Sequence, residues 1–444
     1  MFLFLSVAFS VLRWKNMRVF IRSFGCSTNM ADGEVLAGCL ARAGYELVRS
    51  VSSADVVIYN TCAVKGPTEN RMIEALKQVS KSKKLIVAGC LSSINPERLR
   101  REVKFDGVAG PAAGQSIVGL VGRVLKGEKT RALESVPHDL PELTLPRVPG
   151  NPVVSIIPVS YGCLGSCAYC CVVFARGHSR SYGVMDIVRR AKEDFSLGFR
   201  ELWLTSQDVA CYGRDKGTNL VELLKALCAV DGDFRVRVGM MTPNMTMDML
   251  EDLLEAFEDE HIFKFVHLPV QSGDDNVLKS MRRFYSVEEF RKVVDAFRRR
   301  FPTLTLATDV ICGFPGENDA AFNKTLQLIE QVKPDIVNVS KFFARPKTPA
   351  AEMSAHFVPV ADIKKRSTAA AALAKKIAFE NNQRWVGWKG CVLVDEKGKV
   401  PGSWVGRNFA YKPVTIKAAE NMMGKNLAVS VEKAFPTYLE GRQA

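Results

Sequence analysis

The cysteines carry the chemistry that can be read first. Cys163, Cys167 and Cys170 stand in YGCLGSCAYC with the spacing C-x3-C-x2-C. Three thiolates on one short loop can close around three irons of a cubane cluster. The fourth iron then has no protein ligand, which separates a catalytic site from an electron carrier, normally held by four cysteines. Gly162 and Gly165 let the chain wrap closely. With a distant fourth ligand the same thiolates would instead hold zinc. Cys171 follows Cys170 directly; adjacent side chains diverge in most backbone conformations, so Cys171 is read as a spare.

A second set, Cys26, Cys62 and Cys90, is dispersed but shares one context. Each follows an apolar run, VFIRSFG, VVIYNT and LIVAG respectively. If these runs are parallel strands, their ends lie along one edge of a sheet, above the crevice where such sheets hold ligands. Three thiolates then converge without a short motif. Three small buried core cysteines are the alternative. Cys39 and Cys228 sit in apolar helical faces and read as core; Cys211, Cys312 and Cys391 have no evident partner, and His261 and His356 have no ligand partner by spacing.

The elements that must position these residues follow from the apolar pattern. Over 17–128 short β-branched runs alternate with helical stretches, which predicts a parallel, doubly wound α/β domain. Residues 129–152 hold several prolines and read as a linker. Over 153–380 six strand-like runs, VVSIIPVS, ELWLTS, FRVRVG, FKFVHLPV, TLTLATDVI and DIVNVSKFF, alternate with helices. That predicts a barrel or partial barrel whose working residues lie at the C-terminal strand ends. Helical periodicity stops near Asn381, and 381–444 reads as a small all-β barrel. The fold class is therefore α/β with a small C-terminal barrel.

With 444 residues the chain exceeds one core, and its 47% hydrophobic and 24% charged residues exclude a disordered or fibrous class. Its formal charge of +14 favours a polyanionic partner such as nucleic acid. Twelve cysteines spread through so long a chain point to metal ligation rather than a disulfide framework. The opening MFLFLSVAFSVL is too short for a bilayer span of roughly 20 residues. Met17 is expected to be the true start, with a membrane-associating tail as the alternative for residues 1–16. No other segment could span a bilayer, so a cytoplasmic protein with no membrane partner is expected.

The loop YGCLGSCAYC resembles that of the radical S-adenosylmethionine superfamily, with Tyr169 as the aromatic before the third cysteine. The resemblance implies that the open iron binds the amino and carboxylate groups of S-adenosylmethionine. One electron then splits the sulfonium into methionine and a 5′-deoxyadenosyl radical, and Tyr169 lies near the adenine. SFGCSTNMAD, YNTCAVKGPTENR, AGC, LTSQDVACYG, HLPVQSGDDNVLKSMRR, TDVICGFPGE and ARPKTPAAEM together resemble the methylthiotransferases. GRNFAYKPV is similar to that family's TRAM domain. NTCAVKGPTENR is most similar to the archaeal and eukaryotic branch acting on N6-threonylcarbamoyladenosine of tRNA.

The resemblance spans 17–440 and implies an N-terminal methylthiotransferase domain (17–128), a radical SAM domain (153–380) and a TRAM-like RNA-binding domain (381–444). It implies two 4Fe–4S clusters, held by Cys163, Cys167 and Cys170 and by Cys26, Cys62 and Cys90, with S-adenosylmethionine as cosubstrate. It further implies an anticodon-loop adenosine of tRNA as substrate, methylthiolated at C2, with an electron donor and a sulfur source as partners. An unactivated C2–H needs radical chemistry, which cofactors supply while the protein positions the parts. Isopentenyladenosine in tRNA or a ribosomal-protein aspartate is the alternative substrate. A non-catalytic iron–sulfur RNA-binding redox sensor is the alternative of another class.

Gln207, Asp208 and Arg237 follow or lie on predicted strands and are candidates to contact S-adenosylmethionine. His267, Gln271 and Asp309 read equally as structural or functional. Arg282 and Arg283 read as surface charges. In the C-terminal barrel Trp385, Trp388, Lys389, Trp404, Arg407, Phe409, Tyr411 and Lys412 mix bases with rings, as RNA-binding barrels do, although some rings must form its core. Two departures from the family pattern stand out: Ser206 before Gln207, and Lys347 where glycine is usual. Lys347 is expected to reach positive φ less readily than glycine, altering the loop.

Overall fold

The runs VVIYNT and KLIVAG form the strands Val56–Thr61 and Lys84–Gly89, buried over nearly their whole length. Unbroken apolar runs suit central parallel strands, which are covered on both faces. The structure, a computed structural model, describes residues 17–63, 66–79, 81–130 and 140–444; the expectation about residues 1–16 lies outside them. The chain forms two compact units.

The first unit comprises the described residues up to Gly150 together with Tyr161–Cys163 and Cys170–Arg180. Its sheet is wholly parallel. In chain order its strands are Arg18–Ser23, Glu46–Leu47, Val56–Thr61, Lys84–Gly89 and Gly107–Val108, and in space they run second, first, third, fourth, fifth. Alternation along each strand supplies two cores. Val56, Ile58, Ile86 and Ala88 meet the helices Ser27–Arg42 and Ser116–Leu125. Val57, Tyr59, Leu85 and Val87 meet Ile73, Leu76, Leu91 and Leu99 on the opposite face. Cys39 is fully buried in the first of these cores, and Cys171 in the second.

The described part of the expected linker has no regular element but is fastened down. Glu34 accepts from the backbone of Gly150 at 2.9 Å, and its carbonyl accepts from Val148 at 2.9 Å. Pro146 lies so close to Gly38 that a β-carbon there would sit 2.1 Å from the Pro146 carbonyl oxygen.

The second unit holds Asn151–Ser160, Leu164–Tyr169 and Ser181–Ala444. All six expected strands are present, as Val154–Pro158, Glu201–Thr205, Arg235–Val238, Phe265–His267, Thr305–Cys312 and Ile336–Lys341. They are parallel and adjacent in chain order; two ladders of three are joined by bridges Val236–Ile262 and Met240–His267. This is a six-stranded partial barrel. A 24-residue helix, Val360–Gln383, follows. The closed barrel beyond it has five strands, Lys389–Lys397, Ser403–Arg407, Pro413–Lys417, Asn426–Ala434 and Leu439–Gln443. No helix among the described residues is long and apolar enough to cross a membrane.

One buried polar cluster ties this last barrel to the rest of its unit. The Lys412 ammonium donates to Asp335 at 2.7 Å and to Asn382 at 2.8 Å, with both charged side chains about 95% buried. Removing one partner of a buried pair strands the other charge. Lys412→Met is therefore expected to destabilise this unit by about 3–5 kcal/mol, read as an earlier urea transition. Asp335→Asn in the same background should recover part of the loss.

Candidate functional site

In the first unit the three dispersed cysteines follow register-matched strand ends. Ser23 pairs with Asn60, and Thr61 with Gly89. Cys26, Cys62 and Cys90 come immediately afterwards. The strand order reverses between Arg18–Ser23 and Val56–Thr61, and sheets of this order hold ligands at that switch point. Gly25, at φ +104°, makes the approach possible: a β-carbon there would lie 2.5 Å from the Cys62 Cβ and 2.7 Å from its sulfur. Asn60 and Asn29 lock the rim. Asn60 donates to the Asn29 carbonyl at 2.6 Å, and Asn29 to the carbonyls of Phe24 at 2.6 Å and Asn60 at 3.1 Å.

Cys62 and Cys90 are buried and Cys26 is exposed. Cys26 also stands at the N-cap of the 16-residue helix Ser27–Arg42. Arg176, missed from the sequence, is buried and faces Cys90 and Cys26. Its guanidinium pairs with Asp32 at 2.6 Å, and Asp32 also accepts from the Tyr161 hydroxyl at 2.6 Å. Burial pushes the Cys90 thiol up, and the adjacent Arg176 guanidinium works against that. A buried cation beside cysteines is the signal that would have found it, but nothing in the local spacing of ARGHSRS announces it.

The loop cysteines Cys163, Cys167 and Cys170 are all partly exposed, and among the described residues no cysteine is in a disulfide. Within the first unit the Cys163 N–H donates to the Gly177 carbonyl at 3.2 Å, and a β-carbon on Gly162 (φ +83°) would strike the His178 carbonyl oxygen at 2.1 Å. Cys171, the spare, is buried; its thiol points at the Ala63 carbonyl, 3.7 Å away.

Within the second unit, Ala168 donates to the Met281 carbonyl at 2.9 Å and accepts from Ala350 at 2.9 Å. Tyr169 packs edge-on to Phe314, with ring centroids 6.5 Å apart. The Cys167 sulfur accepts a hydrogen bond from Arg283 Nη1 at 3.2 Å. Arg283 is thus not a surface charge. It lies over the Tyr285 ring and donates to that residue's hydroxyl at 3.0 Å and to the Pro269 carbonyl at 3.4 Å. Its neighbour Arg282 is exposed, at φ +57°. That left-handed residue turns the chain and sends two adjacent arginines in different directions.

Gln207 and Asp208 follow the strand Glu201–Thr205. Asp208 is buried, and its carboxylate joins its own loop to the one after the strand Arg235–Val238. Oδ1 accepts from the N–H groups of Ala210 and Thr242, both at 3.1 Å; Oδ2 accepts from the Thr242 hydroxyl and from Cys211 at 3.3 Å. The Ser206 hydroxyl accepts from the Asp208 N–H at 3.1 Å, so this departure supplies a turn contact. Arg237 is ringed by Trp203, Phe265 and Tyr411, 4.9–5.3 Å from their centroids. It shares this buried nest with Glu201, whose carboxyl is pushed up to about 8 by burial and by nearby Asp395.

His267 and Asp309 do meet, at 3.2 Å, and Asn338 donates to the same carboxylate oxygen at 2.7 Å. Gln271 is buried at φ +70° and brackets that strand, donating to the Asp309 carbonyl and accepting from Ile311. Lys347 adopts φ +66°, so lysine takes the glycine-like conformation; the turn is closed by Thr348, which donates to the Arg345 carbonyl.

In the C-terminal barrel, Trp385 and Trp404 are core, Arg407 is paired with Asp395 at 3.0 Å and Lys412 with Asp335. Tyr411 packs against Phe263 and Phe265. Those residues face inward rather than toward a partner. Lys389 and Phe409 remain exposed, with Trp388 partly so.

Three family models match consecutive stretches: "Uncharacterized protein family UPF0004" over 18–110, "Radical SAM superfamily" over 157–329 and "TRAM domain" over 384–443. A protein of Pyrococcus abyssi called "Probable threonylcarbamoyladenosine tRNA methylthiotransferase" is 41% identical over 96% of this chain and 99% of its own length. The chain belongs to the threonylcarbamoyladenosine tRNA methylthiotransferase family. The Homo sapiens "Threonylcarbamoyladenosine tRNA methylthiotransferase" is 34% identical over 96% of the chain and 74% of its own. Among solved structures, the radical S-adenosylmethionine methyltransferase TsrM of Kitasatospora setae aligns with a TM-score of 0.54. It covers 91% of this chain and 81% of its own at 13% identity, a likeness of fold. The α/β class, the partial barrel and the small closed barrel are those of this family's radical SAM and TRAM domains.

Proposed function

We propose that the chain methylthiolates C2 of N6-threonylcarbamoyladenosine beside the anticodon of tRNA, in the cytoplasm. The observation that carries this reading is near-complete alignment with a relative of that name, at 41% identity over 99% of the relative's length. In this reading 17–128, 153–380 and 381–444 are the three working domains, joined by 129–152. Cys163, Cys167 and Cys170 ligate one 4Fe–4S cluster and Cys26, Cys62 and Cys90 the other. When bound, the two clusters and S-adenosylmethionine supply one-electron sulfonium cleavage and delivery of a methylthio sulfur.

The remaining work falls to the chain. Three thiols follow adjacent strand ends at a sheet's switch point, two of them buried, and the Arg176 cation balances thiolate charge there. Arg283 orients Cys167 and withdraws charge from its sulfur. Asp208 ties its own loop to the one that carries Thr242, so Gln207 beside it has a fixed backbone from which to reach cosubstrate or base. Tyr169 offers its ring toward adenine, and Arg237 keeps a cation inside the partial barrel. Lys389, Trp388 and Phe409 offer charge and rings to RNA. An electron donor and a sulfur source complete the reaction.

The test supplies reduced, reconstituted protein with S-adenosylmethionine and tRNA carrying N6-threonylcarbamoyladenosine, followed by nucleoside mass spectrometry. A methylthio product is expected. Product only from isopentenyladenosine tRNA would overturn the substrate, and no 5′-deoxyadenosine at all would favour a redox sensor.

Arg283→Met should keep full iron content, because it removes no ligand. Hydrogen bonds to cluster sulfurs raise the reduction potential. The variant's loop cluster should be harder to reduce, and cleavage of S-adenosylmethionine should slow roughly 10–100-fold. Potentiometric titration followed by electron paramagnetic resonance reads the first effect; an unshifted potential would assign Arg283 to packing alone.

A further inference from the structure

Cys228 lies far in sequence from Asp259 and His261; Cys228 was read as core and His261 as having no ligand partner by spacing. Cys228 ends the helix Leu220–Cys228, while Asp259 and His261 stand on the turn before the strand Phe265–His267. Their sulfur, carboxylate oxygen and ring nitrogen all lie within 4.8 Å of one another, and all three residues are partly exposed. They sit where chain enters the strands Arg235–Val238 and Phe265–His267, the end of the partial barrel opposite the strand ends that carry Gln207 and Asp208.

The imidazole makes the arrangement informative. Its ring is stacked on Phe234, centroids 4.2 Å apart and planes 22° from parallel, so its orientation is fixed. Nε2 lies 3.1 Å from the Gly232 carbonyl oxygen, and Nδ1 lies 2.8 Å from Asp259 Oδ1. Both nitrogens thus face acceptors, but a neutral imidazole has one N–H. With that hydrogen on Nε2, donated to Gly232, the Nδ1 lone pair points at a carboxylate oxygen. With the hydrogen on Nδ1 instead, the 2.8 Å contact is an ordinary hydrogen bond; with it on Nε2, the facing lone pairs leave a place for a cation. A backbone carbonyl orienting the far nitrogen is how ligating histidines are commonly held.

The third donor points the same way. The Cys228 thiol is hydrogen-bonded to Asp259, so the sulfur and the carboxylate already meet. Lys264 is near, but its ammonium donates to the carbonyls of Asp259 and Ile262, at 2.7 and 2.9 Å, and not to the carboxylate. The carboxylate is left to the histidine and the thiol.

We propose that Cys228, Asp259 and His261 bind one zinc-class divalent cation, with the fourth position open to solvent. One sulfur, one nitrogen and one oxygen donor suit a borderline-soft tetrahedral ion and leave the open position typical of three-ligand sites. Such a cation would clamp the end of one barrel helix to the turn entering the next strand. It is separate from the six cysteines assigned to iron and from S-adenosylmethionine.

The experiment uses holoenzyme with its iron–sulfur clusters in place, so that the cluster thiolates are already occupied. It is washed with chelator, incubated with zinc chloride and desalted, and zinc and iron are measured together. One zinc per chain is expected, with a zinc-edge absorption spectrum showing one sulfur at about 2.3 Å and light-atom ligands at about 2.0 Å. Cys228→Ser should lose the sulfur shell, and His261→Ala should lose the zinc, both with iron and 5′-deoxyadenosine formation unchanged. Retained iron and cleavage show that the variants fold. Equal zinc in wild type and both variants, or zinc without a sulfur neighbour in wild type, would overturn the site and leave a proton-bridged His261–Asp259 pair.

Discussion

Replacing Cys26, Cys62 and Cys90 together by alanine will leave cleavage of S-adenosylmethionine running while methylthiolation of tRNA stops. These residues belong to the first unit, and their thiols cap strand ends at the sheet's switch point. The loop sequence Cys163–Cys170 is untouched by the change. Arg283, Tyr169 and the Asp208 turn, all in the second unit, keep their partners. Iron should fall from about eight to about four per chain, since each site would hold four. 5′-Deoxyadenosine should still form under reductant, at a rate within a few-fold of the parent, while methylthio product falls below detection. Continued methylthiolation would reduce the three cysteines to core residues and end the two-cluster reading. Circular dichroism and the surviving cluster spectrum guard against misfolding, because Cys90 is packed among Leu91, Ile94 and Leu99.

The strands that carry the site were legible because each is a run of β-branched and aliphatic residues long enough to have a period. The strands Glu46–Leu47 and Gly107–Val108 were not, since two residues make no pattern. Leu439–Gln443 was missed because LEGRQ buries only Leu439 and Gly441 and otherwise reads as a polar tail. The helix Val360–Gln383 was legible chiefly by its end near Asn381. Its buried face is built largely of small or polar side chains, Ser367, Ala370, Ala374 and Asn381 among them, so apolar periodicity is faint.

The same distinction holds within the site. The cysteines announced themselves by type and context. Arg283 did not, because MRR offers two equivalent arginines, and only the left-handed turn at Arg282 decides which one reaches the Cys167 sulfur. The rings and bases of the C-terminal barrel were legible as a composition but not as a surface. In a barrel of five short strands most aromatic side chains have nowhere to go but inward, and Trp385, Trp404, Arg407 and Lys412 went there. Cys228 and His261 are separated by 33 positions with no motif between them, so only the fold could bring them together.

The complementary substitution, Cys163, Cys167 and Cys170 to alanine, is expected to be more severe. Iron should again fall from about eight to about four per chain. This time the loss of the loop cluster should abolish 5′-deoxyadenosine formation altogether, and methylthiolation with it, because one-electron cleavage of the sulfonium is the work proposed for that cluster. The fold should tolerate the change. None of the three is fully buried, and Ala168 between them keeps its backbone bonds to Met281 and Ala350. Arg283 would lose its sulfur acceptor but keep the Tyr285 hydroxyl and the Pro269 carbonyl, so its cation is not stranded. The surviving four irons should belong to the Cys26, Cys62 and Cys90 site, and adding the alanine changes there should take iron to zero. If the loop triple variant kept all its iron, or still produced 5′-deoxyadenosine, the loop would not be a cluster site. A single Cys171→Ala change is the matched control: its thiol is buried against the Ala63 carbonyl, and its loss should leave both iron and cleavage at parental levels.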